Sequence, residues 1–267
     1  SSFPFACDGA GERVACLKHE KDERSILYGY LDNNHCIYSY GESQNESNEL
    51  EAVLANLQSC DFPDMYAIVG RTLVIIEHFA FDASRETKRG GMEQIRKDRR
   101  AKAEMEEEIK SGKTEAMIVE RVGAELTFFD WKLNFENHFD SHYAKIDRYI
   151  ENAKNEVCKN QLVKAGTLDS YRVGFFIEEE FPPIVEIGEK QHELHYSETK
   201  QFLDFYSGKS RVDFILFGTY HGGCPRLIYV DHSHTIDTCK AVDLQADDVR
   251  MSRINKNEVV VRFVVKI

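Results

Sequence analysis

Residues 65 to 81 read MYAIVGRTLVIIEHFAF, two β-branched and aromatic runs divided by Gly70-Arg71 alone. Such runs are strands, and a two-residue connection with glycine first suits the tight II′ turn of a hairpin. So short a turn leaves no freedom in the register: opposed residues carry numbers that sum to 141. Continued by one position beyond the run, that register sets Asp64 opposite Glu77. Directly opposed residues share a face, with Cβ atoms about 4.5–5.5 Å apart. A slip of one residue would put the two carboxylates on opposite faces.

Like charges so placed destabilise a hairpin unless something positive lies between them. Two hard oxygen donors at this separation suit Mg²⁺, or Mn²⁺, which takes one or two carboxylates and keeps several waters. A metal so held can activate water and stabilise charge developing on a phosphodiester. The segment Pro63-Asp64, twelve intervening residues, then Glu77-His78-Phe79, follows a helix with acidic residues. Over about residues 46 to 82 it resembles the PD-(D/E)XK nuclease superfamily. The resemblance implies a restriction-endonuclease-like core with Asp64 and Glu77 as catalytic metal ligands, assisted by an acid of the preceding helix, Glu46 or Glu49. In the place of the motif lysine, which helps to orient and activate the water, this chain has Phe79. Either that role has moved, with Lys88 the nearest downstream lysine, or catalysis is lost.

The chain of 267 residues carries a net charge of −12, which argues against indiscriminate attraction to nucleic acid. The average conceals a run from 85 to 102 with eight basic residues, Arg85, Lys88, Arg89, Arg96, Lys97, Arg99, Arg100 and Lys102, against three acids. That run could hold a phosphate backbone, or it is a solvated helix face. Seven cysteines form no CxxC pair, so a reducing cytoplasm is the expected compartment rather than a disulfide framework. The opening SSFPFACDGAG is too short and too polar for a signal peptide, and no apolar stretch is long enough to span a bilayer.

Elsewhere, CIYSY (36 to 40) alternates like a short strand, and Ser43 with Glu46 offers a capping box for a helix over about 46 to 59. The spacing predicts an exposed charged helix over 93 to 111 and an amphipathic one running on from 138. Further strands fall at 171 to 180, 212 to 220, 225 to 233 and from 258, and a helix with an N-terminal serine at 197 to 206. Several of these strands are apolar on both faces, and the expected class is α/β (α+β as the variant): one domain over 1–267, a central mixed sheet flanked by helices, with a charged helical insertion at about 85–165.

The weaker constellations read as follows. His138 and His142 lie four apart on a helix without the glutamate of a zinc-protease motif, and are expected to be surface histidines. His232 and His234, near Asp231 and Asp237, offer a zinc alternative that a polar loop explains better. Glu178 ends an apolar strand, either beside the first pair or simply at its meeting with solvent. Phosphate-loop, dinucleotide and nucleophile-elbow motifs are absent. The expected function is a Mg²⁺-dependent nuclease acting on DNA or RNA. Its alternative is a non-catalytic protein of the same fold that binds another protein, or its own copy, through an acidic surface.

Overall fold

The computed structural model describes residues 23–31, 37–40, 48–81, 117–120, 128–160, 168–179, 184–187, 190–221, 224–245, 249–252 and 257–260. In chain order the elements are α1 (Glu23–Gly29), β1 (Ile37–Ser39), α2 (Asn48–Ala55), β2 (Gln58–Ser59), β3 (Met65–Val69), β4 (Thr72–Phe81) and β5 (Met117–Glu120). Then follow α3 (Phe128–Tyr143), α4 (Ile146–Lys159), β6 (Ser170–Glu179), β7 (Ile184–Ile187) and β8 (Lys190–Glu193). A 3₁₀ turn (Tyr196–Glu198) precedes α5 (Lys200–Ser207), β9 (Phe214–His221), β10 (Cys224–Asp231), β11 (Val249–Ser252) and β12 (Asn257–Val260).

The hairpin forms in the register that its two-residue turn dictates. Val69 pairs with Thr72 and Met65 with Ile76, and Gly70 turns the chain at a φ of 61°. Only glycine takes that conformation without a steric cost. β4 then pairs along its whole length with β6 in parallel, and β6 with β9. The result is a mixed seven-stranded sheet in the order β1-β10-β9-β6-β4-β3-β2, with helices on both faces, an α/β fold. Smaller sheets join β11, β7 and β8, and β12 with β5.

Alternation along the central strands divides the core in two. Ile75, Phe79, Phe81, Val173, Phe175, Ile177, Ile215 and Phe217 pack with α3, α4 and α5 through Trp131, Phe135, Tyr149 and Phe202. Val74, Ile76, Phe176 and Leu216 face the other way, against Leu27 and Tyr30 at α1 and Val53 and Leu54 of α2. The first layer is dense in rings. Phe135 alone meets Phe81, Phe139, Tyr196, Phe202, Phe205 and Phe217 at 4.3–6.3 Å between centroids. Each such pair adds about 0.5–1.5 kcal/mol beyond the area that it buries.

Three expectations need correction. The helix expected to run on from 138 is two helices, α3 and α4, broken at Ala144-Lys145. The buried positions Phe135, Phe139, Ile146, Tyr149, Ala153 and Val157 stay in phase across the break, which is why the sequence reads as continuous. The helix expected to reach 59 ends at Ala55, and Gln58–Ser59 pair with β3 instead. The helix after 197 is capped not by Ser197, which bonds Tyr40, but by Thr199, whose hydroxyl accepts from the Phe202 N–H at 3.1 Å. Within the span 85–165, α3 and α4 cover one face of the sheet. The basic run from 85 to 102 and the helix expected over 93–111 lie outside the described residues.

Among the described residues no helix is long and apolar enough to cross a membrane. Among the described glycines Gly174 in β6 is the most crowded: an added Cβ would come within 2.2 Å of the Phe214 ring. Phe214 is itself buried and stacked on Tyr229. Gly174→Ala is therefore expected to cost about 1–3 kcal/mol, read as a lowered urea midpoint at unchanged slope.

Candidate functional site

Glu77 stands on the α3/α4 face of β4, the strand's one carboxylate in a run of apolar residues, and is only 5% exposed. Its Oε1 lies 3.1 Å from Nδ1 of His142 in α3, and the Tyr149 hydroxyl of α4 is 3.1 Å from the same nitrogen. Glu77 Oε2, equally buried, has no hydrogen-bond partner among the described residues. Phe79, two residues along on the same face, lies flat under the His142 ring, 4.6 Å between centroids and 13° between planes. Position 79 thus points inward among rings, where an aromatic plate packs and a lysine would bury its charge. The imidazole of His142 fills the space above it.

Asp64 lies one position beyond the last rung of the hairpin, Met65↔Ile76. Its Oδ2 accepts from the backbone N–H of His78 at 2.7 Å. Burial, then the neighbouring Glu77, push its carboxyl up from 3.8 to about 6, with a further contribution from Glu23; the His78 N–H holds it back. The Tyr149 hydroxyl is raised too, by burial first, then by Glu77 through both its charge and a side-chain hydrogen bond, and then by Asp64. Burial leads both shifts, and the like charge of neighbouring carboxylates adds to it.

A carboxylate with a bare buried oxygen, beside a second that ionises reluctantly, has an unmet demand for a cation or a proton. Among the described residues no group of three or more His, Cys, Asp and Glu side chains is arranged to hold a metal ion. A divalent cation here would rest on Asp64 and Glu77, its remaining positions filled by water or substrate oxygen, in the manner of Mg²⁺. Among the described residues, Glu23 of α1 is a helix acid near enough to raise Asp64. Glu46 lies outside the described residues, as do Lys88 and the basic side chains Arg85, Arg89, Arg96, Lys97, Arg99 and Arg100; Glu49 is on α2 with its side chain undescribed.

Other expectations part company with the structure. His142 is no surface histidine, and nothing among the described residues joins His138 to it. Glu178 is neither beside Glu77 nor at the solvent edge. The ladder sets it opposite Ala80, on the other face of the sheet, 3.4 Å from His78 and 6% exposed. His232 stacks on Tyr206 and His234 Nδ1 lies 2.9 Å from Asp231 Oδ1, contacts of the polar loop preferred over a zinc site.

A second cluster, which the sequence does not announce, lies where β6 and β9 end. Glu179, 1% exposed, accepts from the Tyr196 N–H at 3.0 Å and meets His195 Nδ1 at 2.9 Å. The Thr219 hydroxyl is 3.1 Å from that same nitrogen. Two partners on one ring nitrogen make no proton relay, which needs one on each. The cluster instead ties the 3₁₀ turn to the sheet. Burial lowers the affinity of His195 for its proton, but Glu179, with Glu198 and Glu193, more than reverses this, and the group is raised overall.

The missed residues left one trace. The intervals from Phe139 to His142, Ile146 and Tyr149 are three, four and three, so His142 and Tyr149 sit in the apolar stripe of their helices rather than on the polar side.

Two outcomes are expected. Between pH 3.8 and about 6 the folded protein holds the Asp64 proton more tightly than the unfolded chain, so Asp64 lowers stability as pH rises through that window. Asp64→Asn keeps an acceptor for the His78 N–H, and should flatten that decline and raise the thermal midpoint above pH 6. The raised His195 contributes stability that is full below its unfolded value of 6.5 and is lost as pH rises through its folded value. Glu179→Gln should therefore cost about 3–5 kcal/mol at pH 6 and less at pH 9, by urea titration at each pH. No family model, no curated protein and no solved structure matches the chain.

Proposed function

We propose that the chain is a divalent-metal-dependent nuclease, hydrolysing phosphodiester bonds of DNA or RNA at Asp64 and Glu77. The observation that carries this reading is the bare Oε2 of Glu77, buried and facing a neighbour whose carboxyl is raised to about 6. His142 and Tyr149 occupy one side of the Glu77 group and orient it, leaving Oε2 for a cation. Asp64 is oriented by the His78 N–H, from the same strand as Glu77. A bound Mg²⁺ or Mn²⁺ would supply Lewis-acid stabilisation of the phosphoryl oxygens and a water of lowered pKa. The chain's own contribution is to hold the two carboxylates at one hairpin end and to shield Glu77 from bulk water.

The Pro63-Asp64 and Glu77 spacing of the PD-(D/E)XK superfamily supports the same reading, with the basic run from Arg85 to Lys102 as the backbone contact. Cys60, Cys158, Cys224 and Cys239 are free thiols, in keeping with a cytoplasmic protein. A second reading, a non-catalytic protein that binds another protein, is favoured by one feature: the position of the motif lysine holds the buried Phe79.

Calorimetric titration of Mg²⁺ and Mn²⁺, with cleavage of plasmid DNA, single-stranded DNA and RNA, separates the two. The nuclease should bind metal, and Glu77→Ala or Asp64→Ala should weaken binding at least about tenfold and abolish cleavage. Lys88→Ala should reduce cleavage with metal affinity unchanged, if that lysine has taken the motif role. Wild type that binds no metal and cuts no substrate leaves the interaction protein.

A further inference from the structure

An open cleft of about 650 Å³ lies between residues 59–62, which lead into Asp64, and the second half of α4. Its size is that of a small-molecule site. The cleft is linked to the carboxylate pair through Phe62 and Tyr149. Phe62, in its lining, packs on Tyr149 at 4.7 Å between ring centroids, and Tyr149 bonds the imidazole that holds Glu77. Asn152, also in the lining, is one turn along α4 from Tyr149.

The chemistry of the lining selects its occupant. Asp61 and Glu156 face a single cation, Lys159, whose Nζ lies 3.4 Å from Glu156. An anion is therefore unwelcome in the middle of the cleft. Asn152, half-buried, and Asn155, exposed, present amide donors and acceptors to the cleft. Phe62 adds an aromatic surface. Neutral, planar, edge-polar ligands fit this combination, and an asparagine amide is suited to the paired donor and acceptor of a base edge.

The helix adds direction. Arg148, Asn152, Asn155 and Lys159 follow at intervals of four, three and four, a single stripe along α4. The ends of the stripe stand roughly 16 Å apart, at 1.5 Å per residue. Arg148 lays its guanidinium over Phe62 at 4.6 Å, at the end of the stripe beside Tyr149. Cations at both ends with amides between them match a strand whose phosphates flank an inserted base.

We propose that this cleft is a nucleobase pocket. It takes one unpaired base of the strand whose phosphate lies at Asp64 and Glu77, reads its edge through Asn152 and Asn155, and is flanked by Arg148 and Lys159 as phosphate contacts. The placement of the strand rests on the nuclease reading above; the pocket itself does not.

The test uses free nucleosides, which carry no phosphate and need no metal. Adenosine, cytidine, guanosine and uridine, with ribose as the control, are titrated into the full chain while its side-chain amide resonances are followed by NMR. At least one nucleoside should shift the Asn152 and Asn155 signals saturably where ribose does not. The Asn152→Ala/Asn155→Ala variant should weaken its binding at least about tenfold, through two lost hydrogen bonds. Both positions are at the helix surface, and an unchanged thermal midpoint certifies the fold. Four nucleosides that leave those signals unmoved, or binding that survives the double variant, overturn the pocket. Metal titration of Glu77→Ala judges the nuclease reading separately, since Glu77 lies outside the cleft lining. A chain that binds nucleosides but no metal keeps the pocket and loses the nuclease.

Discussion

Parallel pairing of β4 with β6, unbroken from Thr72↔Ser170 to Phe81↔Glu179, is the contact on which the other arrangements depend. Side chains alternate with a period of two, so this one register decides which face every residue of both strands serves. It puts Glu77 over the α3 and α4 layer with Phe79 and Phe175, and His78 with Glu178 on the layer of α1 and α2. The next pairing, of β6 with β9, brings Gly174 under the Phe214 ring, where no side chain would fit. A shift of one residue would bury charges among the rings of the first layer and open a clash in the second.

Within that frame, two buried glutamates meet two histidines with different results. Glu179 has both oxygens occupied, one by a backbone N–H and one by His195, and serves as a clamp. Glu77 has its histidine on one oxygen and nothing on the other. An unsatisfied buried oxygen of a carboxylate is expensive, about 1–3 kcal/mol or more, and a fold retains such a group where something else supplies its partner. The contrast directs attention to Glu77 rather than to the better-bonded pair. It also accounts for Phe79. With His142 supported from below by an aromatic ring, the imidazole is held against Glu77 from a helix that the hairpin does not touch in sequence.

The two helices that close this face play different parts. α3 carries the ring that orients Glu77, whereas α4 carries Tyr149 toward the carboxylates and, further along, a polar stripe that lines the neighbouring cleft. The break at Ala144-Lys145 lets the two helices present separate faces to the sheet while their buried residues keep one period.

The sequence alone was enough for whatever depends on neighbours along the chain. A two-residue turn with glycine at a φ of 61° admits one register, so the rungs from Val69↔Thr72 to Met65↔Ile76 could be counted off before any fold was known. Strands β6, β9 and β10 and the mixed sheet with its helices were likewise legible in apolar runs too short to be anything else. What only the tertiary structure decided is who answers those carboxylates. His142 stands 65 residues from Glu77, and Asp64 reads the charge of Glu23 from a separate helix. Glu178 and Glu179 look like a strand meeting water, yet both are buried, Glu178 3.4 Å from His78 and Glu179 bonded to His195, from segments distant in the chain. A strand shows its faces in its own alternation, but the partners that make a buried charge tolerable come from distant segments, and no local pattern records them.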